Sequence, residues 1–278
     1  MTHPLMTSID ENGVATVTLN RPNVHNAFND DLIWELNDTI TKLGANPVVR
    51  AIVITGSGKS FCAGGDLNWM KEAASYSNEQ NLRDAQNLSD MFNTLNSCPK
   101  PTIAIVNGNA FGGGVGLIAC CDIAVGVYGS LFALSEVRLG LTPATISPFV
   151  ISAIGERAAR RYFLTAERFT TEGAMHIGLL HDVAPSLQDA CTLAHAMIKR
   201  SLPVLPAHKP RPKTLSPRSA ARKLRSNYEQ RPPNALLPSA TVPKAKKALG
   251  HSLKNANRAG FPHQARQRPE AANNERHD

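Results

Sequence analysis

Apolar and polar positions alternate in two different rhythms along the first two hundred residues. Val14 to Leu19 alternates like a half-buried strand and stops at Pro22. Asn29 is placed to cap a helix whose stripe is Leu32, Ile33, Leu36, Ile40 and Leu43. After Pro47 the run "VVRAIVITG" is almost continuously apolar, as expected of a strand covered on both faces. A glycine-rich loop, "GSGKSFCAGGD", then leads into a short helix beginning near Leu67. Asn78 to Leu95 reads as a longer helix with Leu82, Ala85, Leu88, Phe92 and Leu95 on one side.

The same rhythm continues through the middle of the chain. Thr102 to Val106 is a short β-branched strand, broken at Asn107-Gly108-Asn109. Gly112, Gly113 and Gly114 open a small-residue helix over Gly114 to Cys121, and Leu131 to Leu134 is an apolar strand closed by Glu136. Helices are expected at Ile146–Ile154, at Glu156–Leu164 and at Leu187–Arg200, with a helix ended by Gly178 and a short strand between them. Strand–helix alternation of this kind predicts an α/β domain over residues 1–200 with a largely parallel sheet.

From Ser201 the rhythm is lost. Residues 201–278 hold 11 of the 19 prolines, and no period lasts more than a few positions. Charge divides at the same place. Residues 1–200 carry 14 Lys and Arg against 18 Asp and Glu, while the last 78 carry 16 against 4, a net of +12. Such composition predicts a basic, proline-rich, disordered tail. A basic segment attracts nucleic acid or anionic membrane, but this one has neither interleaved aromatics nor heptads, and neither partner is expected. The five cysteines form no CxxC pair, which fits reduced thiols in a cytoplasmic setting. No run approaches membrane-spanning length, and no leader pattern opens the chain.

Several chemistries are excluded by spacing. "GSGKS" at Gly56–Ser60 is not a phosphate loop, because Val53 stands where that motif needs its first glycine. The nine histidines include no HExxH and no His–Cys cluster, so no metal site is expected. No Ser-His-Asp arrangement is readable. What remains is a pair of glycine turns after apolar strands, Ala63-Gly64-Gly65-Asp66 and Gly112-Gly113-Gly114, with the lone carboxylate Glu136. Two opposed turns can each aim one backbone N–H at a single oxygen, which suits an enolate or thioester oxyanion.

Five segments resemble one family in order and spacing: "RPNVHNAF", "FCAGGDL", "VNGNAFGGGVGL", "CDIAV" and "FALSEVRLGLTPA". They are similar to the crotonase (enoyl-CoA hydratase/isomerase) superfamily over about residues 5–200. The resemblance implies a ββα-superhelix core that assembles as a trimer or hexamer and binds acyl-CoA thioesters, with no cofactor beyond the coenzyme A of the substrate. It implies that Gly65 and Gly113 supply the oxyanion hole and that Glu136 is the acid/base. His25, Asn26, Ala27 and Ala63 resemble walls of the adenine and pantetheine site, with Gly64 and Gly112 in the two turns. Asp66 is expected to fix its loop rather than react.

Three departures qualify that likeness. Two-carboxylate hydratases have a second Glu where this chain has Gly116, so open space is expected there and a one-carboxylate reaction with it. The stretch 135–169 is similar to the methylglutaconyl-CoA and isohexenylglutaconyl-CoA hydratase branch of leucine and terpene catabolism, where Arg138 would either meet a substrate carboxylate or serve as a structural surface residue. Beyond Ser201 the family's helices are missing from the pattern, and the abrupt switch reads as a change of reading frame or as a natural disordered tail. The implied activity is hydration of an α,β-unsaturated acyl-CoA. A double-bond isomerase and a non-catalytic acyl-CoA-binding or RNA-associated protein are the alternatives.

Overall fold

The computed structural model describes residues 3–201; the tail from 202 onward, and the reading-frame question with it, lies outside the described residues. Two sheets organise what is described. The larger has strands β1 (Leu5–Ile9), β2 (Val14–Leu19), β3 (Ala51–Gly56), β5 (Thr102–Val106), β7 (Ile123–Val127) and β9 (Asp182–Ala184), in that order. Only the β1–β2 pair is antiparallel. Along β3 and β5 successive side chains go to opposite cores. Ile52, Ile54, Ala104 and Val106 face the main one, while Ala51, Val53, Ile103 and Ile105 face a second. Strands buried on both faces need apolar residues at every position, which is why these runs are nearly continuous in the sequence.

Helices cover both cores. Helix α1 (Asp30–Ala45) is capped by Asn29, whose side chain accepts from the Leu32 N–H, and it buries Leu32, Ile33, Leu36, Ile40 and Leu43. The second core is closed by α7 (Leu187–Ser201), where Ala190, Ala194 and Ile198 recur one helical turn apart. Between these lie α2 (Leu67–Ala73), α3 (Asn78–Asn96), α4 (Gly113–Cys120), α5 (Ser147–Thr165) and α6 (Thr171–His176). Gly155, at φ 76°, breaks α5 into the two helical segments the pattern indicates.

Four local expectations change. The stripe on α3 starts later than the pattern suggests: Met91, Phe92 and Leu95 are buried, whereas Leu82 is 64% exposed. A nineteen-residue helix that meets the core only with its C-terminal half does not bury its first turns. Val48 is also exposed, because the chain is still turning toward β3 there. Glu136 does not close a strand; it opens a short 3-10 turn, Glu136–Leu139.

The fourth change matters most. The loop at Gly56–Asp66 contains a strand, and another starts from the last residue of the break, Asn109. Here β4 (Ser60–Cys62), β6 (Asn109–Phe111) and β8 (Phe132–Ala133) form a second, three-stranded parallel sheet. Strands of two or three residues are too short to show a period.

Candidate active site

All three candidate groups leave the carboxyl ends of that small sheet. β4 runs into Ala63-Gly64-Gly65, β6 into Gly112-Gly113, and β8, through Leu134 and Ser135, into Glu136. Because the strands are parallel and adjacent, their exits lie side by side. The carboxyl ends of parallel strands are where α/β folds place ligands.

The first turn is held by neighbours rather than by its own composition. The Phe28 N–H donates to the Gly64 carbonyl at 2.7 Å, and the Phe28 carbonyl accepts from the Asp66 N–H at 2.8 Å. Gly64 adopts φ 84°, and a Cβ there would stand 2.8 Å from the Phe111 carbonyl and 3.4 Å from the Gly113 nitrogen. The two glycine turns are therefore in contact. Asp66 caps α2 by accepting from the Asn68 N–H at 2.9 Å and pairs with Arg21 at 3.0 Å. Arg21 also donates to the Ala27 carbonyl, so one guanidinium ties residue 27 to the turn.

His25 and Asn26 both sit in the left-handed region, at φ 53° and 56°, a conformation that costs about 1–2 kcal/mol per residue. Asn26 holds them there. It is fully buried, its side-chain amide donates to the carbonyls of Ser57, Ser60 and Phe61, and its Oδ1 accepts from the Arg21 N–H. His25 Nδ1 lies 3.0 Å from Ser60 Oγ, and the His25 carbonyl accepts from Ala63. The segment 25–27 is thus bound edge to edge with the first turn.

The second turn supports the Glu136 carboxyl. Gly112 has φ 50° and its N–H donates to the Ala133 carbonyl at 2.9 Å. A Cβ on Gly112 would stand 3.0 Å from Glu136 Oε1, so the carboxyl rests directly on this glycine. Glu136 Oε2 is buried without a hydrogen-bond partner. Burial pushes the Glu136 carboxyl above the ordinary range, against a smaller opposing effect of its own backbone N–H. A desolvated carboxyl with a spare oxygen is poised to exchange a proton. Among the described residues, neither the Gly65 nor the Gly113 N–H has a protein acceptor.

The remaining candidates have different surroundings. Gly116 stands one turn beyond Gly112 on α4, but no open space lies over it. A Cβ there would meet Ile146 Cγ2 at 2.5 Å and Phe92 Cε1 at 3.1 Å. The expected vacancy is an apolar wall, and nothing in the sequence signals that Ile146 reaches back to fill it. Arg138 donates to the Ala166 carbonyl at 2.6 Å, where the chain turns left-handed at the end of α5. Its guanidinium thereby serves the turn. Cys62, just before the first glycine turn, is fully buried and its thiol is pushed up to about 12 by desolvation, so it is no nucleophile. Among the described residues, no group of three or more His, Cys, Asp and Glu could hold a metal ion, and no helix is long and apolar enough to cross a membrane.

Known proteins resemble this chain in sequence and fold. An enoyl-CoA hydratase of Alternaria alternata is 42% identical over 176 residues, which are 63% of this chain and 57% of that protein. The chain thus spans little more than half the length of that relative. The 2,3-dehydroadipyl-CoA hydratase of Escherichia coli is 34% identical over 200 residues, covering 70% of this chain and 76% of that one. Among solved structures, an enoyl-CoA hydratase from Shewanella pealeana superposes with a TM-score of 0.70 at 35% identity, over 94% of this chain and 89% of the other. The sequence profile described as enoyl-CoA hydratase/isomerase matches residues 10–211, and with the glycine turns and Glu136 inside that span, the chain belongs to the enoyl-CoA hydratase/isomerase family, the crotonase superfamily.

Proposed function

We propose that this protein is a hydro-lyase that adds water across the C2=C3 bond of an α,β-unsaturated acyl-CoA. The observation that carries the reading is the Glu136 carboxyl resting on Gly112, with Oε2 unpartnered, beside the free Gly113 N–H. Glu136 takes a proton from water as its oxygen bonds to C3. The electron pair of the C=C bond moves toward the thioester, and the enolate oxygen is held by the Gly65 and Gly113 N–H groups. The proton on Glu136 then goes to C2. Removal of one such N–H donor costs about 10²–10³ in rate.

The test is incubation of the purified full chain with crotonyl-CoA, following the absorbance of the conjugated thioester. Loss of that absorbance, with 3-hydroxybutyryl-CoA as product, supports the reading; an unchanged spectrum at high enzyme concentration overturns it. Ile146 favours one second reading. By closing the place over Gly116 it leaves Glu136 as the acid in hand, and a single carboxylate suffices to carry a proton between C2 and C4. A double-bond isomerase would instead create conjugated absorbance from a 3-enoyl-CoA.

The finer substrate reading is a carboxylate-bearing enoyl-CoA of the methylglutaconyl type, supported by the likeness of stretch 135–169 and by the name of the Escherichia coli relative. A homotrimer or hexamer, in the cytoplasm, is the assembly this reading carries. Sedimentation of the full chain checks the mass, and comparison of kcat/KM for methylglutaconyl-CoA and crotonyl-CoA checks the substrate.

A further inference from the structure

We infer that Phe28 is a positioning residue that sets the spacing between the two free N–H groups, one in each glycine turn. The inference rests on the reading of those groups as an oxyanion hole. Phe28 engages both turns with different parts of itself. Its main chain pairs with the first, donating to Gly64 at 2.7 Å and accepting from Asp66 at 2.8 Å in a parallel bridge to Gly65. In that pairing the carbonyl of residue 64 and the N–H of residue 66 face Phe28, which leaves the Gly65 N–H to point away from it.

The ring of Phe28 meets the second turn. Its Cε2 and Cδ2 lie 2.7 and 3.0 Å from where a Cβ on Gly113 would stand. Gly113 is not among the residues with positive φ, so its glycine is not demanded by the backbone angle. It is demanded by the close approach of this ring. Phe28 is thus the solid spacer between the main chain that carries the Gly65 N–H and the start of α4, which carries the Gly113 N–H.

The spacer has little freedom. Phe28 is 1% exposed, and Phe92 meets its ring edge-on with centroids 6.1 Å apart and planes at 88°. Phe92 is backed by Phe149, also at 6.1 Å, and its own Cζ lies 3.7 Å from the same Gly113 position. On the chain side, Arg21 ties the Ala27 carbonyl to Asp66, and Asn26 fixes the left-handed pair that delivers residue 28. A row of aromatic rings and a clamped backbone therefore converge on one residue that touches no reacting atom.

The test uses full-length Phe28→Leu, Gly113→Ala and the double variant. Each is measured for Tm, for kcat and KM with crotonyl-CoA, and for Kd of butyryl-CoA, a saturated ligand that develops no oxyanion. In folded Phe28→Leu, kcat should fall about 10- to 100-fold, the scale set by misplacing a catalytic geometry. KM and the butyryl-CoA Kd should stay within about 3-fold, a split that general destabilisation does not produce. Gly113→Ala alone should lower Tm by roughly 5 °C or more. The double variant should recover much of that, because the shorter side chain vacates the clash.

An unchanged kcat in Phe28→Leu, or a loss appearing equally in KM and Kd, overturns the inference. Strictly additive Tm shifts overturn it as well, since they leave the ring uncoupled from Gly113. If the wild-type chain hydrates no enoyl-CoA, the proposed function fails on its own, and the Tm cycle still decides the coupling without any turnover.

Discussion

The two sheets do opposite jobs. The six-stranded sheet consists mostly of five- and six-residue strands, with apolar side chains sent alternately into two cores. None of the candidate site residues lies on it, and its contribution is burial, about 25 cal/mol for each Å² of apolar surface removed from water. The three-stranded sheet has only two or three residues per strand, and at its ends the chain accepts positive φ at Gly64 and Gly112, nearby left-handed residues at His25 and Asn26, and an unpartnered carboxylate oxygen at Glu136. The left-handed non-glycine residues and the unpartnered oxygen each cost stability. The large sheet supplies the stability that the small one spends on geometry. Substitutions in the two should therefore separate stability from turnover.

The sharpest separation is expected at Glu136. Glu136→Gln keeps the shape and size of the side chain and should retain acyl-CoA binding. Turnover should fall by about 10²–10⁴, the usual contribution of general acid–base catalysis. Steady-state rates with crotonyl-CoA, beside a Kd for butyryl-CoA, measure both. Near-native rates would remove Glu136 from the mechanism.

The converse belongs to the large sheet. Ile54 on β3 is fully buried in the main core. Ile54→Ala should cost about 2–5 kcal/mol in denaturant unfolding, as large-to-small core substitutions do. Below its unfolding midpoint the folded enzyme should keep kcat within a few-fold. A kcat loss as deep as that of Glu136→Gln would mean that the two sheets are not independent.

Gly114 tests the seam between the small sheet and α4. A Cβ there would stand 2.3 Å from the Cys62 carbonyl, a backbone atom that cannot swing aside. Gly114→Ala should destabilise by about 1–3 kcal/mol, as overpacking does. It should also lower kcat, because relief of the clash moves β4 and α4, the two elements that carry the turns. Gly140→Ala is the control for space: unlike Gly114 it has a positive φ, 72°, but a Cβ there has nothing within 4 Å. It should lose a smaller amount of stability, with kcat retained.

The same contrast explains what could be read from the chain. Runs such as "AIVITG" and the stripe from Leu32 to Leu43 repeat often enough for a period to emerge, and those elements stand where the pattern puts them. Of the small sheet only β8 was legible, inside the apolar run Leu131 to Leu134; Ser60–Cys62 and Asn109–Phe111 offer no period, so the sheet as an assembly is invisible to pattern reading. The two glycine turns and the lone acid are conspicuous against small apolar neighbours, and it was the family resemblance that singled out Gly65, Gly113 and Glu136 among them. Ile146 and Phe28 were not legible, since an apolar residue in a core-like context carries no mark of what its side chain faces. Their partners lie 30 and 85 positions away in sequence, at Gly116 and Gly113.

The smallest effect follows from protonation of Glu136 in the folded state. Burial raises its folded-state pKa above the unfolded value, so the fold prefers the neutral acid. By linkage, the stabilisation from that preference is fully present below the unfolded carboxylate pKa and is lost as pH rises through the folded one. Wherever pH ionises Glu136, the wild-type protein therefore holds a carboxylate in a site that disfavours it. Glu136→Gln removes the charge without removing the side chain, so the variant should have the higher Tm at pH 7. The difference should shrink as pH falls, and it should vanish or reverse below the ordinary carboxylate range, where both side chains are neutral. Activity of the wild type should move in the other direction, falling as acid protonates the base, with its midpoint displaced upward from an exposed Glu. Thermal unfolding of both proteins across that range decides the matter. A Tm difference that stays constant with pH would show that Glu136 titrates as it does in the unfolded chain, and the small sheet would then lose its most costly feature.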